Sequence, residues 1–349
     1  MAYSIDVTAC PVVPVSAFYG KGIDRARSFS VQHIGLSFYM LPDCRCFGDP
    51  YQAIAPVANS GTIPCIFQES CPYLATEFSL APIIAANLDK QEVELEEAVP
   101  LYAFGSRNLW HWTLESLPKL LALEDSGYTG LYIIPASDWS DPQSVIRQSL
   151  DMFGIAPERL APSGPVYRVK RLILPQRLSG FHLKENMPLC EYLRERLVRA
   201  AGTLEGTKRL YIRRIGRRKV INEEEVLNLL AEFGFSVMTP EEYSQKEQWR
   251  TMTNVECSVM AHGANSTLTM LQKPRSAVVE LFSNQYVSYN NMHAVRLLKL
   301  RYVPLVEELD AADYPHISTP VSEFLATGLQ TDVAVNTSFL KIVLESLLE

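Results

Sequence analysis

A chain of 349 residues is long enough for two or three domains, and 47% hydrophobic against 20% charged residues is the composition of an ordinary globular protein with ample core. The net charge of −7 excludes a general nucleic-acid binder and leaves any basic site to be local. The opening "MAYSIDVTACPVVPVSAF" lacks a basic start followed by an apolar run, and the longest uncharged run, 50–68, is broken by Pro56 and Pro64. Neither a signal peptide nor a membrane span is therefore expected, and the protein is placed in the cytoplasm. Five of the seven cysteines precede residue 72, but "CRC" at 44–46 with Cys65 and Cys71 matches no familiar zinc spacing, so free thiols are expected.

Residues 1–100 hold short apolar runs, such as "IGLSFYML" and "APIIAANL", among many prolines and glycines. They read as strands and loops whose order is not legible. From there the periodicity sharpens. Ser106 to Glu124 reads as a helix, "LYII" as a strand, Pro142 to Phe153 as a helix, "RLIL" as a strand and Met187 to Ala200 as a helix. A linker, "GTLEGTK", follows, which divides the chain into domains 1–204 and 205–349. The second half is the most regular part. It runs "RLYIRR" strand, Asn222 to Phe233 helix, "FSVM" strand, Glu241 to Thr253 helix and "VECSVMA" strand. Asn265 to Leu271 then reads as helix, "SAVVELF" as strand, Tyr289 to Leu300 as helix and "RYVPL" as strand. This alternation is the pattern of an α/β doubly wound parallel sheet. Asn222 with Glu225 three places on resembles a capping box. The chain ends in "FLKIVLESLLE", an amphipathic helix that could cross back to brace the N-terminal domain.

In an open parallel sheet, ligands bind beyond the carboxyl ends of the strands. Two motifs fall there. In "VMAHGANSTLTML" a strand becomes a helix through His262, Gly263, Ala264, Asn265 and Ser266. Backbone N–H groups of Gly263, Ala264 and Asn265 at a helix N-terminus suit a phosphate, and His262 or Ser266 could add a hydrogen bond. The alternative is that Gly263 only makes the turn and Asn265 only caps the helix. The second motif, "KRLYIRRIGRRK", carries Lys208, Arg209, Arg213, Arg214, Arg217, Arg218 and Lys219. A guanidinium fork matches phosphate oxygens. A solvated loop neutralised by Glu223, Glu224 and Glu225 accounts for Arg217 and Arg218, which should face water. It accounts less well for Arg213 and Arg214, which end an apolar strand. Without interleaved aromatics the patch does not suit nucleic acid.

A third constellation is "SRNLWHWTLESLPKLLALE". At helical spacing Asn108, His111 and Glu115 share one face of an otherwise apolar helix, which Pro118 is expected to kink. A carboxylate beside an imidazole can serve as a general base. The alternative is a His–Glu pair satisfied in the core; a metal site would need a third ligand that is not identifiable.

The order of "NLWHWTLESLPKL", "RLYIRR…RRKVINEEEV" and "AHGANSTLTML…SAVVEL" resembles glycosyltransferase family 61, from about Asn108 to Pro304. The resemblance implies a GT-B fold, with two Rossmann-like domains whose parallel sheets face a cleft, and inverting transfer from a UDP-sugar donor. It implies that Arg213 or Arg214 and the His262-Gly263-Ala264 turn hold the diphosphate, that Glu280 lies near the donor ribose, and that Glu115 is the base. The chain departs from the family in "HGANS" for the common "HGAGL", in a shorter loop after "LYI", and in Glu rather than Asp at position 115.

No Asp-X-Asp triplet occurs, so a metal-bridged diphosphate has no obvious ligands, and no cofactor or metal is expected. No GxGxxG follows a strand, against a nicotinamide enzyme. The expected activity is metal-independent, inverting hexosyl or pentosyl transfer from a nucleotide sugar to a hydroxyl of a glycan or related acceptor. Glu115 would act as base with His111 orienting it or sharing the proton, and Asn108 would support the acceptor or the helix face. The competing expectation is a non-catalytic GT-B-like protein that binds a nucleotide sugar or anionic glycan within an assembly.

Overall fold

The computed structural model describes residues 12–13, 29–31, 34–48, 54–59, 64–67, 89–101, 107–134, 139–176, 178, 186–288, 290–307 and 331–349. Its contacts divide the chain into two compact units, Met1–Leu189 and Cys190–Glu349. The division falls inside a helix rather than at the "GTLEGTK" linker.

The first unit is built on one mixed sheet. Its strands are β1 (Val12–Val13), β2 (Phe29–Val31), β3 (Leu36–Gly48), β4 (Ile54–Asn59), β5 (Pro64–Phe67), β6 (Glu92–Pro100), β7 (Leu131–Ile133) and β8 (Val166–Pro175). The order is β1-β5-β4-β3-β8-β6-β7, with β2 beside β3. β8, β6 and β7 run parallel to one another and β1 runs parallel to β5, whereas β2 with β3, β3 with β4, β4 with β5 and β3 with β8 pair antiparallel. The expectation of parallel sheets in both domains therefore needs correcting for this unit. Antiparallel neighbours need only short connections, whereas parallel ones need a crossover, and only 49–53 and 60–63 lie between β3, β4 and β5. "IGLSFYML" enters β3 as read, whereas "APIIAANL" lies outside the described residues.

One face of this sheet buries Leu41, Cys44, Cys46, Leu95, Ala98, Val169, Leu172 and Leu174. Other positions carry cross-strand ion pairs: Arg45–Glu92, Arg168–Asp43, Lys170–Glu96 and Arg171–Glu97. These pairs are largely exposed and worth little individually, but they keep a long sheet soluble. Between β6 and β7 lie α1 (Leu109–His111), a π-helical turn (Trp112–Ser116) and α2 (Leu117–Asp125); α3 (Val145–Met152) leads to β8. Trp112, Leu114, Leu117, Leu120 and Leu121 are wholly buried, so the helix sits in core rather than on a surface.

Helix α4 (Met187–Ala201) carries the chain into the second unit, a five-stranded, all-parallel sheet. Its elements are β9 (Arg209–Ile212), α5 (Glu223–Glu232), β10 (Ser236–Met238), α6 (Gln245–Met252), β11 (Cys257–Ala261), a 3-10 helix (Ala264–Leu271), β12 (Ala277–Phe282), α7 (Asn290–Leu297), β13 (Arg301–Val306) and α8 (Thr337–Leu348). The order is β10-β9-β11-β12-β13. Alternate residues of the central strands point to opposite faces. Tyr211, Val259, Val279 and Leu281 meet Val226 and Leu230 of α5 and Leu340 and Leu344 of α8 in one core. Helix α8 thus seats its apolar stripe on this unit's own core, where the sequence suggested a brace for the other domain.

Two local expectations change. Asn222 does not cap α5 with its side chain. Its amide instead donates to the Val335 carbonyl (2.8 Å) and accepts from the Val335 N–H (2.9 Å), tying the approach to α8 to the start of α5. The capping box is at α6, where Ser244 and Glu247 satisfy each other's backbone N–H groups. Among the described residues Cys44, Cys46, Cys190 and Cys257 are buried thiols, and burial pushes Cys190 and Cys257 up to about 12. No helix among these residues is long and apolar enough to cross a membrane.

Candidate active site

In the parallel sheet of the second unit, β10 lies on one side of β9 and β11 on the other. The winding therefore reverses between β9 and β11, and an open α/β sheet forms its ligand crevice at such a switch point. Ile212, the last residue of β9, is level with Met260 of β11. Beyond that level the strands part. The Arg213 N–H turns to the Met238 carbonyl of β10 (2.8 Å), while the His262 N–H turns to the Leu281 carbonyl of β12 (2.9 Å). Arg213 and Arg214 thus leave β9 beside the turn that leaves β11.

The two arginines have different fates. Arg213 donates from Nε (3.1 Å) and Nη2 (3.0 Å) to Glu223 Oε2, while Tyr211 donates its hydroxyl to Glu223 Oε1 (3.0 Å). That pairing raises the Arg213 pKa. Arg214 has no such partner. Its Nε donates to the carbonyl of Arg217, a loop residue whose own side chain is exposed (2.6 Å). Its guanidinium lies over Gly263, where a Cβ would fall 1.7 Å from Nη1. Burial, followed by the nearby charge of Arg218, pushes the Arg214 pKa down to about 10. A guanidinium keeps its proton in practice, so the direction of the shift marks a cation held partly out of water and beside a like charge.

After Gly263 the chain forms a 3-10 helix rather than the α-helix that periodicity suggests. Threonine hydroxyls help to tighten it: Thr267 Oγ1 donates to the Ala264 carbonyl and Thr269 Oγ1 to the Ser266 carbonyl, both at 2.7 Å. The Ser266 N–H bonds to the Gly263 carbonyl (2.9 Å). The N–H groups of Ala264 and Asn265 precede it, where a helix has no internal acceptor for them. Ser266 is 1% exposed, and its hydroxyl has no hydrogen-bond partner among the described residues.

His262 is held from behind. Its Nδ1 lies 2.6 Å from Glu280 Oε1, and its ring stacks on Phe282 with centroids 4.8 Å apart. Glu280 Oε2 accepts from Asn291 Nδ2 (3.1 Å) and from the Tyr302 hydroxyl (2.6 Å). The Glu280 side chain is 0% exposed and both of its oxygens are occupied, so it is not turned out to solvent. It fixes an imidazole instead. A carboxylate only accepts, so Nδ1 carries the proton and Nε2 is left for other contacts.

In the first unit Asn108 accepts the Trp110 N–H with its side-chain oxygen (2.9 Å) and caps α1. It is a helix cap rather than a member of a polar face. His111 and Glu115 do stand together, with Nδ1 3.2 Å from Oε2. That is within ion-pair reach but off the line a hydrogen bond requires, so the buried nitrogen has no hydrogen-bond partner. Glu115 is 7% exposed and lies in the π turn, where the Leu117 N–H reaches back to the Trp112 carbonyl. Pro118 supplies the local reason. It has no N–H for the Leu114 carbonyl and its ring crowds that oxygen, so the turn ahead of it widens.

Arg218, expected in water, is half-buried instead. Its guanidinium lies 5.7 Å from the Tyr286 ring centroid, and that ring is 5.4 Å from the ring of His262. Tyr286 carried no sequence signal, because it lies in a loop far from Arg218 along the chain. Among the described residues no group of three or more His, Cys, Asp or Glu side chains could hold a metal ion.

No curated protein matches the chain significantly. Residues 109–279 match the model of the family described as Glycosyltransferase 61. The match begins at α1, runs through the basic end of β9 and the His262-Gly263 turn, and ends within β12. On that match residues 109–279 form a glycosyltransferase family 61 region, and the protein is a glycosyltransferase.

Proposed function

We propose that the protein is an inverting, metal-independent glycosyltransferase that moves a hexosyl or pentosyl group from a UDP-sugar to a hydroxyl of a glycan or related acceptor. The observation that carries this reading is the Arg214 guanidinium, half-buried without a carboxylate partner among the described residues and lying over Gly263 at the sheet's switch point. A desolvated cation beside a helix N-terminus is relieved by an anion that reaches both. Arg214, rather than the Glu223-paired Arg213, is then the arginine of the diphosphate site. Ala264 and Asn265 would contribute backbone N–H groups, and Ser266 its hydroxyl.

In this mechanism a base removes the proton of the acceptor hydroxyl, and the hydroxyl oxygen attacks the anomeric carbon. The bond from that carbon to the diphosphate oxygen breaks with inversion, and its electron pair leaves on the diphosphate. Arg214 and the N–H groups stabilise that developing charge, the work a metal does elsewhere. Glu115 is assigned as the base and His111 as its neighbour. The two α/β units are read as a GT-B pair. Buried thiols and a nucleotide-sugar donor suit a cytoplasmic protein.

The test is release of free UDP from a panel of UDP-sugars offered with glycan acceptors. Wild-type protein should release UDP from at least one donor. Glu115→Gln should lower that turnover by ~10²–10⁴, the worth of a positioned general base, while UDP affinity stays near wild type. Release from no donor in the panel would sink the UDP-transferase reading. Normal turnover in a well-folded Glu115→Gln would remove that residue as base and make His111 the next candidate.

A further inference from the structure

Arg218 is the unexplained cation of the second unit. It follows Gly216 and Arg217 in the loop after β9, with its own φ at +59°, a region that non-glycine residues adopt at a cost. That conformation turns the side chain inward. Burial lowers its pKa, the Tyr286 ring faces it, and its buried Nε has no hydrogen-bond partner among the described residues. A buried N–H of a charged group left without an acceptor is costly, because it loses its water and gains nothing in return. A strained backbone and an unsatisfied cation would be removed together if the residue faced solvent, and Arg217 beside it does face solvent.

Nothing among the described residues neutralises this charge. Among the described residues neither Arg214 nor Arg218 forms an ion pair with a carboxylate, whereas Arg213 takes Glu223. The two free guanidinium groups lie near enough for the charge of Arg218 to act on Arg214. Like charges placed together out of water repel. Two such cations, one over Gly263 and one against Tyr286, need an anion with more than one charge. Tyr286 leans on His262, so a continuous wall runs from the helix N-terminus through His262 and Tyr286 to Arg218.

We propose that Arg218, seated on Tyr286, is a second phosphate-binding residue of the donor site, and that it and Arg214 divide the two phosphates between them. This rests on the reading of the switch point as a diphosphate site. Tyr286 is a positioning residue, because a ring under a guanidinium holds it by a cation–π contact without neutralising it.

The experiment is calorimetry on the full chain with UDP and with UMP as probes, for wild type, Arg214→Ala, Arg218→Ala, Arg218→Lys and Tyr286→Leu. Melting temperatures are measured for each. Arg218→Ala should weaken UDP about 10- to 100-fold, the range for a hydrogen bond to a charged group, and UMP by much less. The preference for UDP over UMP should therefore collapse. Arg218→Lys should recover part of it, and Tyr286→Leu should show the same pattern at smaller size. Wild-type UDP affinity in Arg218→Ala, while Arg214→Ala has lost it, would overturn this inference and leave the donor site standing. Equal losses of UDP and UMP with a lowered melting temperature would make Arg218 a structural residue and also overturn it. Failure of the wild-type protein to bind UDP would overturn both the inference and the reading beneath it.

Discussion

At Gly263 the backbone is extended, with φ at 162°, so any residue could adopt it. The glycine is needed for another reason: a methyl group there would fall 1.7 Å from Nη1 of Arg214. That atom is the tip of a flexible side chain, so an added Cβ would displace the guanidinium and leave the backbone in place. Gly263→Ala should therefore weaken UDP binding by ~1.5–3 kcal/mol, as loss of a charged hydrogen bond does, with little change in melting temperature. Calorimetry beside thermal unfolding checks this, and full UDP affinity in the alanine variant would show that Arg214 is not the ligand. The motif "HGANS" is legible in the sequence as an anion-shaped turn, but the sequence cannot say that its glycine exists to admit an arginine from another strand. The same holds for Glu280. Its place in "VVEL" is plain, whereas its three donors come from residues 262, 291 and 302.

At the scale of elements, the strand and helix alternation of the second unit is readable because period and caps are local. Each helix or strand from β9 to β13 lies within a few residues of where the apolar pattern puts it. The 3-10 helix is the exception, since its geometry follows from threonine hydroxyls and a buried 0%-exposed Thr269 that also reaches Asn291 (3.3 Å). Asn222 shows how an element-level reading misassigns a side chain. Asparagine three places before a glutamate looks like a cap, yet its amide is engaged by Val335, more than a hundred residues later. Asn222→Ala should remove both hydrogen bonds to Val335, worth ~0.5–1.5 kcal/mol each, together with the exposed one to Glu225 Oε2. It should release α8 before the rest of the unit, seen as faster amide exchange over 333–348. Exchange there that matches the wild type would mean that Leu340 and Leu344 hold the helix without the clamp.

For the whole protein, activity should survive EDTA. The warrant is the pair of free guanidinium groups at the switch point, which supplies the positive charge that a divalent ion supplies in metal-dependent transfer. Turnover that disappears on chelation and returns with manganese or magnesium would refute this.

The amino-acid sequence by itself determined the α/β class, the parallel regularity after residue 205, the basic strand end and the His-Gly turn, because each is written within one strand or one helical turn. Tertiary structure alone decided the rest. It made the first sheet mixed, since antiparallel pairing of 36–67 leaves no periodic helix between strands to read. It gave Arg213 to Glu223 and Arg214 to Gly263, a choice between adjacent residues of one type that only opposite sides of a strand can make. It brought Arg218 from its expected place in water to Tyr286, because burial of a loop depends on what folds against it and not on the loop's own composition.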